Sequence, residues 1–263
     1  MFEPVERIHY ARSPLLEVIC QLRFPTILSI ASHEPSDFQE SIRKTFPRYL
    51  VRQEQPAPRV TGVGTPNPAL QPQQPVTNYN FLSEDGVWRL NLTNSFIALT
   101  CQKYPGWEAF ARKLDQPLAS FIRIYQPAYF ERVGLRYLNA ISRESLGLTE
   151  LPWRELLTPS FLGLLAEEDV RQEAVARCTQ DVEMSLDGGC RLRLHSGPGK
   201  LRRPGRPAEQ ETKWILDLDL SLPGNVPVNH SAPALQMLHM HSTPIFRAAL
   251  TDTLHEALGP VSK

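Results

Sequence analysis

The chain has 263 residues, a length that can bury a substantial core in one large domain. Its 28 lysines and arginines balance its 28 aspartates and glutamates, so the formal net charge is zero. A chain without net charge has no overall field that would hold it on a polyanion, so any contact with nucleic acid must be local. We predict a single domain over residues 1–263.

The chain starts with MFEPVERIHYARSPLL, which has acidic residues early and lacks the apolar run of a signal peptide or anchor. No later stretch approaches the roughly 18 apolar residues that a membrane span needs. The four cysteines are far apart and form no C-x-x-C pair: Cys20, Cys101, Cys178 and Cys190. We therefore predict free thiols, no membrane contact and a cytoplasmic location.

The first half of the chain, about residues 13–126, has the pattern of one strand, one helix, three strands and a second helix. The run LEVICQLRF alternates like a half-buried strand. Apolar residues then recur every four positions, which predicts a helix: Phe38, Ile42, Phe46 and Leu50. Six prolines in residues 53–77 predict a solvated loop. Strands follow in YNFLS, VWRLNLT and FIALTCQKY, and then a long amphipathic helix from Trp107 to Tyr125.

The second half, about residues 129–258, repeats this order. The run FERVGLRYLNAI predicts a strand, and a helix is expected near residues 153–165. Three strands are predicted next, at residues 175–186, 190–195 and 214–222, with a basic loop at 196–212. A final helix is predicted from about residue 234 to 258, in which Thr243 and Pro244 mark an alternative start for a second helix.

These patterns predict an α+β fold in which two similar strand-helix-three-strand-helix halves join in one broad, curved antiparallel sheet. Long amphipathic helices would cover its apolar face. The similarity of the halves lies in the order of elements, because their residues show no repeat.

Three stretches, SPLLEVICQLRFP, KYPGWEAF and ERVGLRYLN, carry a resemblance. In them the chain resembles an uncharacterised, sporadically distributed prokaryotic family with an opening "aPLxE" strand and a central "RxGxRYxN" strand. The resemblance extends from about residue 13 to 258 and implies a prokaryotic protein with one full-length domain. No reaction or catalytic residue is known for the family, so the resemblance implies no activity.

Strand alternation places arginines opposite the apolar side of the predicted sheet. These candidates for ligand binding are Arg89, Arg132, Arg136, Arg177, Arg191 and Arg193. Two interpretations stay open. The face is simply solvated, with weak cross-strand ion pairs, or the sheet curls and its arginines converge on phosphate or carboxylate groups.

The basic loop adds further cations among glycines and prolines: Lys200, Arg202, Arg203 and Arg206. Such a loop can contact a phosphate backbone, or it can be a mobile charged connection. It is not a phosphate-binding loop of the Walker type, since Leu201 stands where that motif requires serine or threonine.

Asp217 and Asp219 point to one side of a predicted strand, where their oxygens are suitable ligands for a divalent metal such as Mg²⁺. Neither a nucleophile elbow nor a zinc-binding histidine spacing occurs. The sequence therefore favours a non-catalytic binding module that recognises a partner protein or a phosphate-containing ligand. The alternatives are a metal-dependent enzyme acting on nucleotides or other phosphates, and a homo-oligomer in which the polar face is only solvated.

Overall fold

The computed structural model of the chain describes residues 2–3, 5–6, 8–55, 59–61, 69–71, 73–202, 205, 207 and 209–261. Its strands are β1 (His9–Tyr10), β2 (Leu15–Arg23), β3 (Arg48–Glu54), β4 (Arg59–Thr61), β5 (Ala69–Gln71), β6 (Val76–Leu82), β7 (Trp88–Leu92), β8 (Phe96–Cys101), β9 (Phe130–Ile141), β10 (Gln180–Ser185), β11 (Arg191–Gly199), β12 (Lys213–Val226) and β13 (Pro260–Val261). Its α-helices are α1 (Leu28–Ser32), α2 (Ser36–Ile42), α3 (Trp107–Tyr125), α4 (Arg143–Leu146), α5 (Ser231–Ala249) and α6 (Asp252–Leu258).

Nine of the described strands form one antiparallel sheet in the order β10-β11-β12-β9-β2-β8-β7-β6-β3. The first strands of the two halves, β2 and β9, pair at its centre. From this centre the second half continues outward through β12, β11 and β10, and the first half through β8, β7 and β6. Strand β3 lies beyond β6. The predicted α+β fold with a broad antiparallel sheet is confirmed.

The two long helices, α3 and α5, contribute their buried residues to the core beside the apolar sheet face. Phe121 of α3 lies against Phe24, with ring centroids 4.7 Å apart, and Phe110 lies against Trp88 at 5.7 Å. The apolar residues of β2 and β9, such as Val18 and Leu135, are completely buried beneath these helices. The predicted helical layer on one face is therefore present. No helix in the described ranges is long and apolar enough to cross a membrane.

The first-half predictions need correction around residues 43–77. Helix α2 ends at Ile42, and Leu50 lies on the exposed strand β3 rather than on a helix. The residues predicted as a solvated loop include the end of β3 and the short paired strands β4 and β5. The four-residue spacing of Leu50 from Phe46 is a coincidence. Its neighbours Tyr49 and Val51 are residue types that favour a strand.

The second half also differs from prediction in its connections. Residues 153–165 form short 3-10 turns instead of one helix. The strand predicted at 175–186 begins only at Gln180, and β11 continues to Gly199, which shortens the basic loop. Helix α5 contains Pro244 and ends at Ala249, where Leu250 adopts extended backbone before α6. All four cysteines are free thiols, and Cys178 is half-buried whereas the other three are buried.

Two half-buried tyrosines make the fold sensitive to alkaline pH. Burial raises the pKa of Tyr49 and of Tyr125 to about 12, from an ordinary value of 10.0. Because the folded state holds these protons more tightly than the unfolded chain, their contribution to stability is complete below pH 10.0. It is lost as the pH rises toward about 12. We expect unfolding in this range to coincide with tyrosinate formation, measured by ultraviolet absorbance and circular dichroism.

Candidate functional site

Strand β9 presents different chemistry on its two faces. Val133 and Leu135 point into the core and are completely buried. Arg132, Gly134 and Arg136 alternate with them and lie on the opposite side, which we name the polar face. Strand parity therefore predicted the placement of the two arginines correctly.

Both arginines are held by carboxylates of the neighbouring strand β12. Arg132 Nη2 donates to Asp219 Oδ1 at 2.6 Å. Arg136 donates from Nε and Nη2 to the two oxygens of Asp217, at 2.8 Å and 2.5 Å. These hydrogen bonds favour the charged guanidinium and raise the pKa of Arg136 above its ordinary value. The pairs orient the side chains along the sheet.

Gly134 makes the first of these pairs possible. A Cβ atom at this position would lie 2.2 Å from Arg132 Nη1 and 2.8 Å from its Cζ. The guanidinium of Arg132 therefore occupies the space above the strand that any other residue would fill. The R-x-G-x-R spacing lets one arginine lie flat across the glycine to reach Asp219, while the other reaches Asp217.

Further ion pairs continue toward the edge strand β10. Arg193 of β11 donates from Nε to Glu183 at 2.7 Å. His195 Nδ1 lies 2.8 Å from a carboxylate oxygen of Asp181. Glu183, Arg193 and Asp219 lie opposite one another across β10, β11 and β12, so charges in this row alternate in sign, which favours the pairing.

A cleft of about 620 Å³ opens on the polar face beside Gly134, whose cross-strand neighbours Gln21 and Ser221 line it. The charged residues that line it are four arginines and two carboxylates: Arg23, Arg132, Arg191, Arg193, Glu183 and Asp219. Arg132 and Arg193 already neutralise the two carboxylates. Arg23 and Arg191 are exposed and form no ion pair within the described part of the chain. The cleft therefore carries a surplus of two positive charges.

The adjoining part of the polar face has the opposite balance. A smaller cleft of about 370 Å³ contains Arg136 and Arg193 together with four carboxylates: Asp181, Glu183, Asp217 and Asp219. Positive charge thus concentrates toward Arg23 and Arg191, and negative charge toward Asp181 and Asp217. An anionic ligand would bind at the first end.

Arg89 lies on the same face but is remote from this cleft, because β2 and β8 separate its strand from β9. Its Nε atom is buried and has no hydrogen-bond partner among the described residues. Beside it, Asn91 donates to the side-chain oxygens of Asn78 and Asn80, at 3.0 Å and 2.7 Å. Asn78 in turn donates to Glu54 at 2.7 Å. On β6 and β7 the polar face thus carries a buried amide network.

The remaining basic candidates lie elsewhere. Arg177 precedes β10, so its predicted position on the polar face is wrong. With Lys200 it lines a separate cleft of about 510 Å³ that shares no lining residue with the two clefts of the polar face. Arg202 is exposed beyond β11. Arg203 and Arg206 lie outside the described residues.

The proposed metal ligands Asp217 and Asp219 do lie on one face, yet each is engaged by an arginine. Among the described side chains, no three of His, Cys, Asp or Glu form a group suited to a metal ion. Binding of Mg²⁺ would require the arginines to release these carboxylates. The magnesium site stays a prediction.

A further cavity, of about 180 Å³, lies on the helical side of the sheet. Tyr137 Oη lies 2.6 Å from Nδ1 of His239, whose ring stacks on Trp107 with centroids 4.4 Å apart. The three stretches that carry the family resemblance all contribute to its lining, through Ser13, Leu15, Tyr104, Gly106, Tyr137 and Asn139. Alternation along β9 indicated a core position for Tyr137, but nothing in the sequence paired it with His239.

Comparison with protein-family models and with curated proteins finds no match for the chain. Membership of the prokaryotic family that it resembles therefore stays a prediction. The clefts and their charges are the evidence from which function is argued.

Proposed function

We propose that the chain is a non-catalytic binding module of a prokaryotic system, acting in the cytoplasm, and that its polar face recognises a phosphate-containing ligand. The observation that carries the proposal is the surplus of two guanidinium groups, Arg23 and Arg191, in the cleft beside Gly134. Arginine is suited to this role because its planar group donates two parallel hydrogen bonds to phosphate or carboxylate. The four free cysteines agree with a reducing compartment.

The spacing of the two free arginines restricts the ligand. Arg23 lies on β2 and Arg191 on β11, and β9 and β12 run between them. Three interstrand steps of about 4.8 Å, together with an offset of two residues along the strands, separate their backbones by roughly 16 Å. Even with long side chains turned inward, one orthophosphate is a poor bridge. A ligand with at least two anionic groups fits better, such as a polyphosphate chain or a nucleic-acid backbone.

Calorimetry with tripolyphosphate in the presence of a chelator tests this proposal. We expect binding that weakens as salt is added and that is much tighter than binding of orthophosphate. A short oligothymidylate and a hexaglutamate peptide, measured in parallel, distinguish a polynucleotide or an acidic protein partner from a small polyphosphate. Absence of binding for all of these probes at low salt would contradict the proposal.

A metal-dependent enzyme remains the second candidate, and Asp217 with Asp219 would hold its metal. Incubating the protein with nucleotides and Mg²⁺ or Mn²⁺ tests it directly. Turnover that is lost in Asp217→Asn and Asp219→Asn variants would replace the binding proposal with the enzymatic one.

A further inference from the structure

Strand β3 forms one outer edge of the nine-stranded sheet, and β6 is its only partner among the described strands. Six of its seven residues are exposed, and only Tyr49 is half-buried. Leu50 and Val51 expose 50% and 45% of their surface although both are large and apolar. An edge strand with unpaired backbone groups and exposed apolar side chains is a template for another strand.

We propose that β3 pairs with β3 of a second copy of the chain, antiparallel and centred on Val51. The two sheets would then continue into each other across a two-fold axis perpendicular to them. Such an axis preserves the faces of the sheet, because each copy keeps its polar face on the same side. Residues that oppose each other across the axis must therefore point to the same face.

The charges of β3 and the length of the overlap together select one register among those that this symmetry allows. With the axis at Val51, Arg48 lies opposite Glu54 of the partner subunit, and this attractive pair occurs twice. Moving the axis to Leu50 places Arg48 opposite Arg52 of the partner subunit. Moving it to Arg52 places this arginine opposite its own copy. Like charges directly opposite each other are destabilising, which disfavours both of these shifted registers. An axis at Tyr49 or at Gln53 leaves only three residues of β3 opposed, although the second of these also places Arg52 opposite Glu54 of the partner subunit. The Val51 register is therefore the most favourable.

The Val51 register also covers the exposed apolar groups. Val51 packs against its own copy on the helical side, and Leu50 lies beside the aliphatic stem of Arg52 of the partner subunit. Tyr49 lies opposite Gln53 of the partner subunit. All seven residues of β3 take part, which is the largest overlap that the strand permits.

The other free edge, β10, is unsuited to the same contact. Centring it on Val182 opposes Asp181 to Glu183, and centring it on either acid opposes that acid to its copy. These carboxylates are moreover bound by His195 and Arg193 of their own chain. The β3 contact uses the same edge of both subunits, so it is complete at two copies.

A contact of seven residues per copy is small for a permanent dimer, so the association is expected to be weak and reversible, with a dissociation constant in the micromolar range. Sedimentation equilibrium on the full chain should show a monomer and dimer only. Arg48→Glu and Glu54→Arg each convert two attractive pairs into repulsive ones and should raise the dissociation constant at least about tenfold.

The double variant Arg48→Glu, Glu54→Arg restores opposite charges and should return the dissociation constant to within about threefold of the original. Glu54→Arg also removes the carboxylate that accepts a hydrogen bond from Asn78, and the double variant lacks it too. A recovered dissociation constant in the double variant is therefore due to the charge pairing. The control variant Glu150→Arg, Arg154→Glu exchanges two exposed charges away from β3 and should associate as the unmodified chain does. Circular dichroism verifies that each variant is folded.

A cross-link tests the register independently. Val51→Cys places the new thiol opposite its copy, so mild oxidation should give a covalent dimer. Gln53→Cys lies about 13 Å from its copy in this register and should not cross-link. A monomer at every concentration, open-ended assembly, failure of the double variant to recover, or equal cross-linking at both positions would each overturn the proposal.

Discussion

Replacing Arg23 and Arg191 together with alanine is expected to weaken tripolyphosphate binding by about 100-fold. Hydrogen bonds from a charged donor contribute about 1.5–3 kcal/mol each, and both arginines are available because no described carboxylate engages them. Titration calorimetry at low salt measures the change. A matched variant, Arg112→Ala with Arg154→Ala, removes the same charge from exposed positions off the polar face and should bind nearly normally. Equal losses in the two variants would mean that only net charge matters.

Substitution of Gly134 by alanine separates cleft geometry from charge in the same assay. The new Cβ would overlap the guanidinium of Arg132, which must leave Asp219. Since the overlapping atoms end a flexible side chain, the melting temperature should change little. We expect affinity to fall about tenfold as the displaced arginine disturbs the cleft. Unchanged affinity would place the ligand away from Gly134.

The ion pair between Asp217 and Arg136 is expected to contribute substantially to the stability of the fold. Asp217→Ala should lower the free energy of unfolding by about 2 kcal/mol, because it removes the acceptor of a bidentate pair and leaves Arg136 partly buried without a partner. Arg136 keeps 43% of its side chain exposed, so water compensates part of the loss. Urea denaturation of Asp217→Ala, Arg136→Ala and the double variant gives their coupling energy.

Glu183→Ala provides the matched control for that cycle. Glu183 and Arg193 form a similar ion pair on the same face, but each is 70% exposed. Exposed pairs contribute at most about 1 kcal/mol, so this variant should lose less than about 1 kcal/mol. If Asp217→Ala and Glu183→Ala lost equal stability, burial would not explain the strength of the ion pair between Arg136 and Asp217.

Alternation predicted the central strands because one face of each is buried. In β2 and β9 every second residue must be apolar, and this is visible in sequence. Alternation did not predict β3, because this strand is exposed and needs no apolar residue at every second position. Leu50 is exposed, so its spacing from Phe46 carried no information about a helix.

The site was predictable only in part, because parity shows which side of a strand a residue occupies but not what lies opposite. It placed Arg132 and Arg136 on the polar face, whereas their pairing with Asp219 and Asp217 depends on the register of β9 against β12. Arg23 shares the polar parity of β2, a signal that was present in the alternation of LEVICQLRF. Arg177 was misplaced because its strand starts three residues later, at Gln180.

The central position of β2 has a consequence for folding. Among the nine strands of the sheet β2 is made first, yet Val18 pairs with Cys101 on one side and with Tyr137 on the other. Both contacts are distant in sequence, and such topologies fold slowly because chain entropy is lost before the contacts form. During synthesis β8 can cover one edge of β2, but the other edge has no partner until β9 has emerged. The nascent first half therefore exposes an unpaired strand edge, the kind of surface through which folding intermediates aggregate.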